Sequence, residues 1–184
     1  KWLNLAAGDG RYNLKLLKKA DEVVACDIDA SALSKLYYYT PDKYKPKLEI
    51  KIFNATKKFP FEDNSFDGIF CTGSLHFVPK EIFIKISQEI MRVLKPEGKL
   101  IFDFATDIKR TKTDGTEYIS KREQSYTFDE AKEFLEEIFK NCFIKSIKKC
   151  WVEEFSKANP PYTIRCNFVL MVVINNGKRS NSKS

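Results

Sequence analysis

The first 33 residues constrain the fold of this chain more than any other stretch. Trp2-Leu3-Asn4-Leu5 is a short apolar strand that runs directly into Ala6-Ala7-Gly8-Asp9-Gly10-Arg11, and Val23-Val24-Ala25-Cys26-Asp27 is a second strand that ends in an acid. Two glycines straight after a strand let the backbone turn tightly and leave room for a ligand against the main chain, while the next helix offers unpaired N–H groups at its start. An acid closing the second strand, about 20 residues on, is placed to accept hydrogen bonds from ribose hydroxyls. The pattern is that of a nucleotide-binding βαβ unit.

Spacing separates two kinds of nucleotide site. A dinucleotide fingerprint needs a third small residue for close packing of helix on strand, and counting from Gly8 puts Asn13 there. Counting from Ala6 puts Arg11 there. A nicotinamide dehydrogenase on a similar sheet is therefore disfavoured.

The segment Asn4-Leu5-Ala6-Ala7-Gly8-Asp9-Gly10 resembles the first motif, D-L-G-x-G-x-G, of the class I S-adenosylmethionine-dependent methyltransferases. It departs twice: Asn4 replaces the acid and Ala6 the first glycine. An amide still accepts a hydrogen bond from an ammonium group but supplies no charge, and Ala6 adds one methyl beside the cofactor. Further segments follow in family order. Asp27-Ile28-Asp29 resembles the turn after strand two, with Asp29 as helix N-cap, and Leu48 to Phe53 alternates as strand three before Asn54-Ala55. Phe59 to Phe70 resembles the loop and strand four, followed by Ser74-Leu75-His76-Phe77-Val78. Met91 to Phe102 resembles the helix, turn and fifth strand of the small-molecule, type 11-like branch.

The resemblance implies S-adenosyl-L-methionine as cofactor and S-adenosyl-L-homocysteine as product, held by Asn4, Ala6, Gly8, Gly10, Asp27, Ile28, Asn54, Ala55 and Thr72. Asp27 takes the ribose role, and Asn54 reads the adenine amino group through its side-chain carbonyl. His76, the single histidine, is a general-base candidate, although at that position a histidine more often packs or caps; no catalytic residue is firm. Asn159-Pro160-Pro161-Tyr162 matches the N-P-P-Y signature of amino-methyltransferases. Here it stands far from strand four and reads as a proline turn between strands.

The implied architecture is α/β, a seven-stranded, mostly parallel Rossmann-like sheet of order 3-2-1-4-5-7-6 with strand 7 antiparallel and helices on both faces. Residues 1–174 are expected to form a single methyltransferase domain, without the N-terminal segment that family members carry ahead of strand one. Residues 105–126 are polar and read as an exposed connection. Thr127-Phe128-Asp129-Glu130 opens a helix through about Lys140 with a capping box, Phe143 to Val152 is strand six and Tyr162 to Ile174 strand seven. Asn175 to Ser184 is expected to be a disordered basic tail.

At 184 residues and 43% hydrophobic the chain is large enough for one core. Its five scattered cysteines, with no C-x-x-C pair, read as reduced core residues of a cytoplasmic protein, and a metal site is not expected. The net charge of +7, with lysines clustered at 43–47, 109–112, 145–149 and in the tail, suits an anionic partner such as RNA. A small-molecule acceptor is favoured, with an RNA methyltransferase or a non-catalytic S-adenosylmethionine-binding partner subunit as alternatives. No membrane association is expected, and the oligomeric state is open.

Overall fold

A computed structural model describes residues 1–119 and 125–177. Among the described residues seven strands form one sheet: β1 (Trp2–Leu5), β2 (Val23–Asp27), β3 (Leu48–Ile52), β4 (Phe66–Cys71), β5 (Leu94–Lys112), β6 (Phe143–Ser156) and β7 (Tyr162–Ile174). The helices are α1 (Asn13–Leu17), α2 (Ala30–Tyr39), α3 (Lys80–Val93) and α4 (Phe128–Ile138). The strand order is β3-β2-β1-β4-β5-β7-β6. Pairs among β1 to β5 are parallel, and β7 runs antiparallel to β5 and β6. Order and reversed strand are those expected from the sequence.

Two-residue alternation sorts the sheet's side chains to two covered faces. Leu3, Leu5, Val24, Cys26, Ile69, Cys71 and Phe102 join Phe83, Ile86 and Ile90 of α3 and Ala131 and Leu135 of α4 in one core. On the other face Val23 packs with Leu17 of α1, and Ala25 with Leu33 and Leu36 of α2. The helix starts are written locally. Asp29 accepts from the N–H groups of Ser31 and Ala32, and Thr127 and Glu130 form the expected capping box.

Arg92 near the end of α3 fastens the loop between β3 and β4. Its guanidinium donates to the Glu89 and Asp63 carboxylates and to the carbonyl oxygens of Phe59 and Phe61, while Glu89 also accepts from the Phe59 N–H. Hydrogen bonding to Arg92 holds the Glu89 carboxyl below its ordinary range. Arg92→Ala strands several of these groups at once, and a loss of about 2 kcal/mol is expected in urea unfolding. Arg92→Lys should recover only part of it, because one ammonium lacks the fork that reaches both carbonyls.

Several boundaries differ from the sequence reading. Residues 105–112 are not an exposed connection: β5 continues to Lys112, paired with β7 from Lys99 to Lys112. Its polar residues find partners on β7, Thr106 Oγ1 donating to the Asn167 carbonyl and Asn167 Nδ2 to the Asp107 carboxylate. β6 likewise runs past Val152 to Ser156, leaving residues 157–161, with most of N-P-P-Y, as the turn before Tyr162 opens β7. β3 stops at Ile52 and α4 at Ile138. Of the expected tail, Asn175 is tied back, its Nδ2 donating to the carbonyls of Leu94 and Lys95; residues 178–184 lie outside the described residues. Among the described residues no helix is long and apolar enough to cross a membrane.

Candidate active site

In register Leu5 lies opposite Cys26 on one side and Cys71 on the other. The loops leaving β1, β2 and β4 therefore emerge together at the carboxyl edge of the sheet, where open α/β sheets hold their ligands. The loop after β1 is stitched by Ala7 N–H to Cys26 O at 2.8 Å, Gly10 N–H to Ala7 O at 3.0 Å and Asn13 N–H to Gly10 O at 2.9 Å. Three of its residues are left-handed: Ala6 at φ +53°, Gly8 at +52° and Gly10 at +94°. Ala6 thus carries a backbone strain of about 1 kcal/mol that glycine would avoid.

The two glycines serve different needs. A Cβ on Gly10 would lie 2.7 Å from the Leu36 side chain, so Gly10 lets α2 close on the loop. A Cβ on Gly8 would meet nothing within 4 Å. The main chain there is open to a ligand.

Asp27 joins the loops. Gly8 N–H donates to its Oδ2 at 2.9 Å and Asp29 N–H to its Oδ1 at 3.0 Å. A carboxylate has about four acceptor directions, so each oxygen keeps capacity for a further donor. Beside it is a cleft of about 320 Å³ that gathers Ala6, Asp27, Ile28, Asn54 and Ala55 of the expected site residues, with Leu5, Phe53, Cys71 and Ser74. Most of this lining is apolar, which suits the face of a planar base.

Asn54 enters that wall with its chemistry reversed. Its Oδ1 accepts from both the Thr56 N–H, at 2.9 Å, and the Thr56 hydroxyl, at 2.8 Å. The Nδ2 donor is left for a ligand. Asn4 lies deeper, 4% exposed, its Nδ2 donating to Asn13 Oδ1 at 3.2 Å. Asn13 Nδ2 is buried without a hydrogen-bond partner among the described residues. Thr72, half-buried at the end of β4, does not line the cleft; Ser74 does, with its Oγ 3.2 Å from Cys71 Sγ.

His76 sits in a 3₁₀ turn, Leu75–Phe77, ahead of Pro79 and α3. It is buried, its ring 4.0 Å from that of Phe77 and 6.3 Å and 6.4 Å from those of Phe104 and Phe168.

The sequence reading missed Asp103. Phe102 pairs with Cys71, so Asp103 stands one residue beyond the end of β4, and Gly73 N–H donates to its Oδ1 at 2.7 Å. Burial pushes its carboxyl up to about 6, against the opposing effects of that N–H and of the Arg11 charge. The signal was an acid inside an apolar run, Leu100-Ile101-Phe102-Asp103-Phe104-Ala105. A value raised in the folded state means that the native protein binds the proton more tightly than the unfolded chain. The resulting stability is present below about pH 4 and lost as pH rises through about 6. Asp103→Asn should remove that decline and raise neutral-pH stability relative to the unmodified chain; urea titrations across pH that gave parallel curves would contradict it.

A seven-stranded sheet of this order, with a glycine loop met by an acid from the end of the second strand, defines the class I, Rossmann-like methyltransferase fold. A family model described as a methyltransferase domain matches residues 3–102, and the chain belongs to that family. Phosphoethanolamine N-methyltransferase 1 of Triticum aestivum is 28% identical over 172 residues, 83% of this chain and 34% of that protein. Demethylmenaquinone methyltransferase of Paenarthrobacter aurescens is 33% identical over 101 residues, 55% of this chain and 37% of that protein. The chain thus spans little more than a third of the length of these curated relatives. Among solved structures, a SAM-dependent methyltransferase from Methanosarcina mazei superimposes with a TM-score of 0.71 at 19% identity, covering 94% of this chain and 91% of that one. S-adenosylmethionine is the cofactor of this class.

Proposed function

We propose that this chain binds S-adenosylmethionine and transfers its methyl group to a small-molecule acceptor. The observation that carries the reading is the Asp27 carboxylate, fixed by Gly8 and Asp29 N–H groups at the rim of the apolar cleft and keeping acceptor capacity on both oxygens. The residues fit the cofactor's parts. Asp27 suits ribose hydroxyls; Ile28, Phe53 and Ala55 suit the faces of the base, with Asn54 Nδ2 as a donor at its edge. The open main chain at Gly8 and the buried Asn13 Nδ2 suit the amino-acid end, beside Asn4, Ala6 and Gly10.

When bound, the sulfonium supplies a methyl that is already activated. The protein's task is then to align the acceptor, and such positioning accounts for roughly 7–11 kcal/mol of a barrier. The loop 72–74 and Asp103 line the side where an acceptor approaches, and Asp103 is a hydrogen-bond acceptor for it. His76 is held among the rings of Phe77, Phe104 and Phe168, and this reading assigns it no step.

The wheat and Paenarthrobacter relatives are both named for small acceptors, which supports that class over RNA. Two of the lysine clusters also lie far apart, 43–47 leading into β3 and 145–149 lying on β6, the opposite outer strands of the sheet, so these two form no single stripe for a phosphate backbone. A non-catalytic S-adenosylmethionine-binding subunit is the second reading, favoured by the absence of charge at Asn4 and the strained Ala6. Methyl-labelled S-adenosylmethionine with a cell extract separated into small molecules, RNA and protein decides among them, with Asp27→Ala as control. Label in small molecules is expected. Label in RNA alone moves the acceptor class, and bound cofactor without transfer to any fraction favours the non-catalytic reading.

A further inference from the structure

β6 ends the sheet, paired with β7 on one side only among the described residues. It is a long edge, Phe143–Ser156, and its register against β7 runs without a break from Ser146 to Ser156. An open edge of this length offers a row of backbone donors and acceptors to another strand. Trp151 and Phe155 on it are 62% and 55% exposed, large apolar side chains left in water on the outermost strand.

The sequence of this edge is complementary to itself. The first half carries Lys145, Lys148 and Lys149, and the second half Glu153 and Glu154. Run antiparallel against a copy of itself with Trp151 opposite Trp151, it sets Lys149 against Glu153, Lys148 against Glu154, Ile147 against Phe155, Cys150 against Val152 and Ser146 against Ser156. From Ser146 to Ser156 every charge meets its opposite and every apolar residue an apolar one, on both faces; just outside that stretch Lys145 falls opposite Lys157. Directly opposed residues are the unit of sheet stabilisation. Shifting the pairing by one residue sets Ile147 against Glu154 and Lys149 against Val152. Shifting it by two in either sense sets Glu153 against Trp151 or against Ile147. A single register satisfies the strand, and a symmetric pair of identical surfaces is the ordinary geometry of a two-fold dimer.

We propose that the β6 edge is a homodimer interface, in which two copies of the chain pair antiparallel about a two-fold axis through Trp151 and join their sheets. Within one chain Glu153 already holds Arg165 with two hydrogen bonds, and Glu154 lies 3.7 Å from Arg11. These contacts fix both acids on their faces, where Lys149 and Lys148 of the second copy would meet them. The long edge then has no open side, and the exposed indole is covered by its symmetry mate.

Sedimentation equilibrium of the 184-residue chain tests this directly. A mass rising with concentration from 21.4 kDa toward twice that value is expected. The double variants K148E/K149E and E153K/E154K should each dissociate at least 10-fold more readily, and mixing the two should restore a one-to-one heterodimer. Circular dichroism melts separate a monomeric variant from an unfolded one. Trp151→Cys provides an independent readout, because a residue on the axis faces its own copy at a separation that a disulfide spans; mild oxidation should yield a covalent dimer. A 21.4 kDa species at every concentration overturns the proposal. So does a dimer indifferent to both charge reversals, or a Trp151→Cys chain that dimerises without crosslinking.

Discussion

Gly68→Ala is expected to lower the unfolding free energy by about 3 kcal/mol. Gly68 lies within β4, paired with Trp2 of β1 and Lys99 of β5. The Trp2 indole lies across it: an added Cβ would sit 2.4 Å from Cε2 and 2.5 Å from Cζ2 of that ring. The ring has little room to retreat, since Trp2 packs against the cluster of Leu17, Ala20 and Val23. Alanine removes some backbone freedom from the unfolded chain, a gain of about 0.5–1 kcal/mol, and the overlap outweighs it. The effect is expected as a lower urea midpoint at unchanged slope. Combining Gly68→Ala with Trp2→Leu should recover much of the loss, because the smaller side chain vacates the space. Strict additivity of the two substitutions would show that the indole is not the cause.

Asp27→Asn is expected to weaken S-adenosylhomocysteine binding about 100-fold in calorimetry, close to 3 kcal/mol. The substitution removes charge and turns one acceptor oxygen into a donor. Hydrogen bonds to a charged group contribute about 1.5–3 kcal/mol each, and both ribose hydroxyls would lose that partner. The same change sets an NH₂ against either the Gly8 or the Asp29 N–H, both of which now donate to the carboxylate. A smaller loss of stability, about 1 kcal/mol, should accompany it, with faster hydrogen exchange at those two amides. The two readouts separate the roles. Faster exchange with undiminished affinity would leave Asp27 as a loop fastener alone.

What was legible in the sequence was written in short spacings. The apolar strand before Gly8 and Gly10, the acid ending Val23-Val24-Ala25-Cys26-Asp27, the cap at Asp29 and the capping box of Thr127 and Glu130 each depend on residues within a few positions or one βαβ unit of each other. Their geometry follows from period and turn chemistry, and the structure repeats it. The resemblance built on those segments also implied the strand order, as a property of the family, and the sheet has it.

The polar stretch 105–112 reads as a loop because nothing nearby says that β7, 50 to 63 residues on, will supply Asn167 and its neighbours as partners. Asp103 shows only as an acid in an apolar run until Gly73, 30 residues away, and the surrounding core set its hydrogen bond and desolvation. Asn54 was read as an acceptor, and the turn with Thr56 makes it a donor. Gly68 is silent in the sequence because its constraint is the ring of Trp2, 66 positions earlier. The sequence by itself determined the local turns, the caps and the family's sheet; tertiary structure alone decided burial, long-range pairing and which lone pairs remain for a ligand, because desolvation and contact depend on neighbours that only folding brings together.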